Sequence, residues 1–127
     1  MAHLKIEYSA GVEGDIAGVC RAGHRAMLEA GIFPVAGIRV RAYRADHAIV
    51  ADGLPENGFV AMTVSVGAGR STEALRQAGD AIFAAVQAAL SGPLATEHFA
   101  LSLEIRVIDP DLSWKDTPIH RRLSAKT

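Results

Sequence analysis

The sequence predicts an α+β fold in which two tandem βαβ units form one sheet with two helices on one face. Apolar and polar residues alternate in strand-like runs, and helical spacing of apolar residues separates those runs. The order strand, helix, strand occurs twice, over residues 3–45 and 59–108, and an arm of residues 109–127 follows. Since crossovers between parallel strands are right-handed, both helices are expected on the same side of the sheet. We expect residues 1–127 to form a single domain.

The first unit begins with a strand in which Leu4, Ile6 and Tyr8 alternate with polar residues. A helix follows, because helical spacing relates Ile16, Val19, Cys20, Gly23 and Met27. A glycine at 31 and a proline at 34 are typical of a helix end. Residues 37–43 alternate again and predict the second strand. Residues 46–58 predict a connection, with a short edge strand through Ile49 and Val50.

The second unit opens with residues 59–66, which are apolar at nearly every position, as in a strand covered on both faces. From this run we expect the sheet face without helices to be apolar and covered by other subunits. Ser71 or Thr72 is predicted to cap the next helix, which Gly92 and Pro93 should end. Residues 99–108 predict the last strand. The arm has no clear periodicity and is expected to lie against a neighbour or at a pocket edge.

The composition excludes several functional classes. The 127 residues include 13 basic and 14 acidic ones, which gives no positive surplus for nucleic acid. No apolar run approaches the roughly 20 residues of a membrane span, and we find no secretory signal. One cysteine and five scattered histidines predict neither a disulfide nor a metal site. The cytoplasm is the expected location.

The strongest chemical signal is the run GAGRS at 67–71, between a predicted strand and a predicted helix. A helix N-terminus favours anions, and a guanidinium at that turn can bind a carboxylate in bidentate fashion. Arg39 and Arg41 are two residues apart on a strand, so both face the same side. Paired with Glu104 or Asp52, each arginine could instead be solvated surface. Together with Arg70 they favour a ligand with more than one carboxylate.

Four segments carry a resemblance to a known family. These are GIFPVAGIRVR at 31–41, ADG at 51–53, GAGRS at 67–71 and SLEI at 102–105. The chain resembles the 5-carboxymethyl-2-hydroxymuconate isomerase family, within the superfamily of tautomerases and macrophage migration inhibitory factor. The resemblance implies a homotrimer that binds a small di- or tricarboxylate. It also implies conversion of a dienol tricarboxylate into its unsaturated keto tautomer, in bacterial homoprotocatechuate breakdown, with no metal or organic cofactor.

The resemblance implies roles for individual residues as well. The family's base is the amine of an N-terminal proline, and Ala2 occupies that position here. An α-amino group has a pKa of about 7.7 to 8.0, which an apolar pocket and nearby cations lower. The implied catalytic residues are therefore Ala2, Arg39 and Arg70, and the implied substrate-binding residues are Arg41, Phe33 and Trp114. If Met1 is removed, the primary amine of Ala2 could act as the base; if Met1 stays, the Ala2 nitrogen is an amide.

Three functions follow from these residues. The first is a tautomerase acting on a dienol di- or tricarboxylate. The second is a carboxylate-binding protein, or pseudoenzyme, that keeps the arginines but has lost the proline base. The third is a structural trimeric module, which three arginines at strand and turn positions disfavour.

Overall fold

A computed structural model describes residues 1–124, so the last three residues of the predicted arm, 125–127, lie outside the described residues. The strands are β1 (Ala2–Tyr8), β2 (Ile38–Arg44), β3 (Gly58–Gly67) and β4 (Phe99–Ile108). The helices are α1 (Ile16–Ala30), α2 (Thr72–Ala89), α3 (Ser91–Leu94) and α4 (Pro118–Ser124). Short 3₁₀ turns cover Ala10–Asp15, Val35–Gly37 and Pro110–Leu112.

The four strands form one mixed sheet in the order β2-β1-β3-β4. β1 is parallel to β2 and antiparallel to β3, while β3 is parallel to β4. Each parallel pair is joined by one long helix, α1 in the first unit and α2 in the second. This is the predicted fold class of two tandem βαβ units in one sheet.

The core lies between the sheet and the two long helices. In the central pair of strands, Leu4 is opposite Val64 and Ile6 is opposite Met62, and all four side chains are buried. The helices supply the fully buried Val19, Met27, Ile82 and Val86. Each such side chain contributes about 1.5–3 kcal/mol by leaving water. The absence of a side chain at Gly23 lets α1 approach the sheet, since a Cβ there would lie 2.6 Å from Leu4 Cδ2.

The opposite face of the sheet is polar, so the prediction of an apolar open face is wrong. A cavity on this face is lined by charged and hydroxyl side chains that include Lys5, Arg41, Thr63, Glu104 and Arg106. The error came from extending the apolar run of β3 to the whole sheet. Even β3 presents Ala61, Thr63 and Ser65 to this face, and the neighbouring strands present charges.

The connection at residues 45–57 contains no strand, so the prediction of an edge strand through Ile49 and Val50 is also wrong. The carbonyl of Val50 accepts hydrogen bonds from Gly53 N at 2.9 Å and from Asn57 Nδ2 at 3.0 Å. These bonds within the loop occupy the acceptor that a sheet ladder would need. Ile49 is 92% exposed.

The ends of the second unit differ slightly from expectation. α2 ends at Ala89, and the separate turn α3 continues through Gly92 and Pro93, so the predicted stop lies a few residues late. Pro93 is tolerated because it lies in the first turn of α3, where its missing N–H would have no helical partner. The arm, for which no element was predicted, contains a 3₁₀ turn and α4.

Candidate functional site

The first residue of the chain is held between β2 and β3. The amide of Gly67, at the end of β3, donates a hydrogen bond to the carbonyl of Met1 at 3.2 Å. On the other side, a Cβ added at Gly37 would lie 3.1 Å from both the nitrogen and the Cα of Met1. A larger residue at position 37 would therefore push against the first residue, and glycine lets the backbone before β2 pass close to the amino group of Met1.

Beside Met1 lies a cavity of about 170 Å³. Its walls come from the end of β3, the end of β4 and the arm, and they consist of Met1, Gly67, Ala68, Ile108, Pro110, Ser113 and Lys115. The cavity therefore brings the start of the chain into contact with segments more than 60 residues away along the sequence.

Arg70 is fixed at the turn between β3 and α2. Its Nε donates to the carbonyl of Ile32 at 2.8 Å, and its Nη1 donates to the carbonyl of Gly67 at 3.2 Å. The guanidinium carbon lies 5.3 Å from the centroid of the buried Phe33 ring, a cation–π distance. Within residues 1–124, Nη2 has no protein acceptor, which leaves an N–H edge available to an anion.

The backbone around Arg70 follows from its neighbours in sequence. Gly69 has a φ of 116°, which a residue with a Cβ rarely adopts. Ser71 is the N-cap of α2, and its hydroxyl accepts a hydrogen bond from Ala74 N at 3.1 Å. The glycine makes the turn possible and the serine starts the helix, so Arg70 is placed between two fixed points.

Arg39 is paired with a histidine on the adjacent strand. His3 of β1 is the register partner of Arg39 of β2, and Arg39 Nη1 lies 2.6 Å from His3 Nε2. A guanidinium can only donate, so His3 Nε2 accepts and the neutral ring carries its proton on Nδ1. Burial lowers the pKa of His3, and the charges of Arg39, Arg41 and the chain's amino group lower it further.

The amino group of Met1 has a lowered pKa. Partial burial is the main cause, and the positive charges of Lys115, Arg70 and Arg39 act in the same direction. These cations come from three separate segments: the arm, the turn before α2, and β2. Their combined field favours the neutral amine, which is the form that can accept a proton.

The cations near this site have no carboxylate partner among the residues that the structure describes. The two acids proposed as partners are engaged elsewhere, because Glu104 pairs with Arg106 at 2.9 Å and Asp52 accepts from Asn57. No ion pair forms within residues 1–124 at Arg39, Arg41, Arg70 or Lys115. Lys115 lines the cavity beside Met1, and the charges of Arg70 and Arg39 also act on the Met1 amine. Unpaired cations near one amine are typical of a site for an anion.

The four remaining predicted site residues, Ala2, Arg41, Phe33 and Trp114, differ in burial and in position. Ala2 is the first residue of β1 and is fully buried, so its nitrogen is a peptide amide and the free amine belongs to Met1. Arg41 lies two residues beyond Arg39 on the open face, beside Lys5. Phe33 is 6% exposed and lies against Arg70, whereas Trp114 is 83% exposed. Contact of Arg41, Phe33 and Trp114 with a substrate stays a prediction.

Lys115 was missed by the sequence reasoning. It follows Trp114 in the arm, where neither periodicity nor a motif indicates which side chain reaches the start of the chain. Only the tertiary path of the arm after β4 brings Lys115 to the cavity beside Met1.

In the described part of the chain, no group of three or more His, Cys, Asp or Glu side chains could hold a metal ion. Over residues 1–124, no helix combines the length and apolar character needed to cross a bilayer.

Comparison with known proteins gives consistent matches over nearly the whole chain. The profile of the family described as 5-carboxymethyl-2-hydroxymuconate isomerase matches residues 2–123. A 5-carboxymethyl-2-hydroxymuconate Delta-isomerase from Escherichia coli is 34% identical over 122 residues, covering 94% of this chain and 97% of that protein.

Solved structures agree with these sequence matches. The crystal structure of a 5-carboxymethyl-2-hydroxymuconate isomerase from Deinococcus radiodurans R1 is 34% identical. It superposes with a TM-score of 0.89 and covers 96% of this chain and 93% of its own. A structure described as a fused 4-OT wild-type asymmetric trimer shares the fold at 15% identity, with a TM-score of 0.70 over 95% of this chain and 98% of its own.

Proposed function

Because the chain belongs to the 5-carboxymethyl-2-hydroxymuconate isomerase family and is an isomerase with the tautomerase fold, we propose that it acts on a dienol di- or tricarboxylate. The reaction converts the dienol into its unsaturated keto tautomer. The observation that carries the proposal is the amine of Met1, which lies at a cavity and has a pKa lowered by burial and by Lys115, Arg70 and Arg39. These three cations come from separate segments and lack carboxylate partners in residues 1–124. We propose the cytoplasm as its location, since a single free thiol at Cys20 is typical of a reducing compartment.

The amino group acts as the base in this proposal. The neutral nitrogen takes the proton of the enol hydroxyl while the C–O bond becomes a carbonyl and the conjugated π electrons shift along the chain. The resulting ammonium returns the proton to a carbon at the far end of the diene, so no atom is gained or lost. The nitrogen is that of Met1 in the described structure and that of Ala2 once Met1 has been cleaved.

Arg39 and Arg70 are proposed to bind the carboxylates and to stabilise the oxyanion that forms as the proton leaves. Fixed donors that need no reorganisation are the most effective stabilisers of developing charge. Arg70 fits this role because two backbone carbonyls and the Phe33 ring hold it before a ligand binds. Arg39 fits because neutral His3 orients it without competing for the substrate's charge.

We propose a homotrimer in which other copies of the chain cover the open face. Lys5, Thr63 and Ser102 offer charge and hydrogen bonds to a partner on that face. Exposed apolar side chains at the end of β4 and in the arm, Val107, Leu112 and Trp114, offer a second contact surface. In such an assembly Trp114 could reach a neighbour's site, which is the way its predicted contact with substrate would be made.

A second candidate is a carboxylate-binding protein without isomerase activity. It is favoured by one observation, the alanine at position 2, whose nitrogen is an amide while Met1 is present. In that case the free amine would be the primary amine of Met1, one residue before the position of the family's proline, so the arginines would bind anions but the proton transfer would be slow.

Two measurements on the same sample separate these candidates. Intact mass shows whether the free amine is on Met1 or on Ala2, and ultraviolet absorbance follows turnover of a 2-hydroxymuconate-type dienol. We expect turnover above the spontaneous rate, and we expect Ala2→Pro to raise it once Met1 is cleaved, because a secondary amine is more basic and less mobile. Carboxylate binding with no turnover in either protein would support the second candidate and overturn the first.

A further inference from the structure

We propose that Lys115 binds a third carboxylate of the substrate and so makes the site selective for tricarboxylates over dicarboxylates. This inference rests on the proposed function, and it names the residue of the same cavity that determines substrate specificity. 5-Carboxymethyl-2-hydroxymuconate, the compound in the family's name, carries three carboxylates: two from the muconate and one from the carboxymethyl group.

The position of Lys115 is the first support. It lines the cavity of about 170 Å³ together with Met1, whose amine is the proposed base. Lys115 is exposed, whereas Ser113 on the same cavity wall is half-buried. The cavity therefore brings a residue with an ammonium side chain to the same place as the amine.

The second support is that Lys115 has no competing partner nearby. The arm carries Asp109, Asp111 and Asp116, but Asp109 accepts from the backbone of Asp111 at 2.9 Å and Asp116 pairs with Arg121 at 3.2 Å. In the described ranges no carboxylate lies within ion-pair distance of Lys115, although acids surround it in sequence. An ammonium left unpaired at a cavity mouth is available to a ligand.

The third support is the chemical difference between the two arginines and the lysine. Arg39 and Arg70 present planar forks from β2 and from the turn before α2, which suit bidentate carboxylates. Lys115 is a point charge on a flexible stem from a third segment, which suits one carboxylate on a side branch. Lys115 and Met1 line the same cavity, and the charge of Lys115 lowers the pKa of the Met1 amine.

The test compares Lys115→Gln with Lys115→Arg, and uses Arg122→Gln as the matched control. Arg122 lies in α4, on the same arm, and is exposed outside the cavity. Each protein is assayed with 5-carboxymethyl-2-hydroxymuconate and with 2-hydroxymuconate, which lacks the third carboxylate, on the alkaline plateau of its pH profile. We expect Lys115→Gln to lower kcat/KM about 10- to 100-fold for the tricarboxylate and only a few-fold for the dicarboxylate.

Two other variants and the pH profile provide further checks of the Lys115 assignment. Lys115→Arg should restore most of the preference, and Arg122→Gln should keep it entirely. Lys115→Gln should also move the acid limb of kcat/KM to higher pH, because it removes a charge that lowers the pKa of the amine. An equal loss for both substrates, or no loss, would overturn the assignment while leaving the isomerase activity intact.

A binding measurement keeps the inference testable if the wild-type protein turns over neither dienol. In that case the proposed function fails, and calorimetry compares propane-1,2,3-tricarboxylate with glutarate. The Lys115 assignment predicts that Lys115→Gln weakens the tricarboxylate about 10-fold or more and leaves glutarate within a few-fold. Equal affinities of wild type and variant for the tricarboxylate would overturn it.

Discussion

Arg70 is held by three separate contacts before any ligand arrives. Two backbone carbonyls accept from Nε and Nη1, and the Phe33 ring lies under the guanidinium. This long side chain therefore loses its conformational entropy during folding and not during binding. Phe33 was predicted as a substrate contact, and its 6% exposure indicates that it also supports Arg70 from below.

We expect Arg70→Ala to weaken glutarate binding about 10- to 100-fold, because it removes a charge-assisted bidentate donor. Arg76→Ala is the control: Arg76 is exposed on α2 and pairs with Glu73 at 3.0 Å, away from the cavity. Calorimetric titration of both variants measures the difference. Equal affinities for Arg70→Ala and Arg76→Ala would show that Arg70 does not bind the carboxylate.

If the Met1 amine is the base, its lowered pKa determines how kcat/KM depends on pH. The base must be neutral, so kcat/KM rises with pH through the pKa of the amine and is flat above it. Burial and the charges of Lys115, Arg70 and Arg39 lower that pKa, so the midpoint should lie below the value of an exposed α-amino group. A pH–rate profile from mildly acidic to mildly alkaline buffer measures it. A midpoint at or above the ordinary α-amino value would contradict the role given to these cations.

At the scale of elements, the turn between β3 and α2 depends on Gly69 and on the cap at Ser71. Ser71→Ala leaves the amide of Ala74 without its side-chain acceptor, and we expect a loss of about 0.5–2 kcal/mol in the free energy of unfolding. Ser91→Ala is the control, since Ser91 is exposed in the short helix α3 and its hydroxyl caps nothing in residues 1–124. Chemical denaturation of both variants tests the expectation, and an equal loss would mean that the cap does not stabilise α2.

The regular elements could be predicted from the sequence because the spacing of their apolar residues reflects which side of each element is buried. In β1 and β4, polar residues alternate with the apolar residues that face the helices, which defined both strands. The helix α1 was predicted from apolar spacing and from the stop at Gly31. Such periodic signals are local, so they survive without knowledge of the tertiary structure.

The errors arose where long-range contacts decide the outcome. Ile49 and Val50 have strand-forming side chains, but hydrogen bonds from Gly53 and Asn57 close a loop around them. The polarity of the open face depends on three strands besides β3. Lys115 could not be located at all, because its role depends on where the arm passes the start of β1. The positions of Arg39, Arg41 and Arg70 could be predicted because a strand and a turn fix them locally, and their contact with substrate stays a prediction.

At the scale of the whole molecule, the open face of the sheet carries the expected assembly. Light scattering should give three times the chain mass of 13.4 kDa. Ala61→Lys places a long charged side chain in the middle of this face and should shift the protein towards monomers, because burying its ammonium under a partner subunit costs several kcal/mol of desolvation. Ala88→Lys, on the exposed side of α2, should stay trimeric. A monomeric wild-type protein would contradict the expected assembly.

The central claim is that the chain's free amino group is the base of a tautomerase whose arginines bind a carboxylate substrate. Its most direct test adds a Gly-Ser extension before Met1, which turns the amine into an amide and leaves every side chain of the site in place. We predict that turnover of the dienol falls by at least about 100-fold, as expected for loss of a general base, while glutarate binding stays within a few-fold of wild type. Unchanged turnover in the extended protein would contradict the claim.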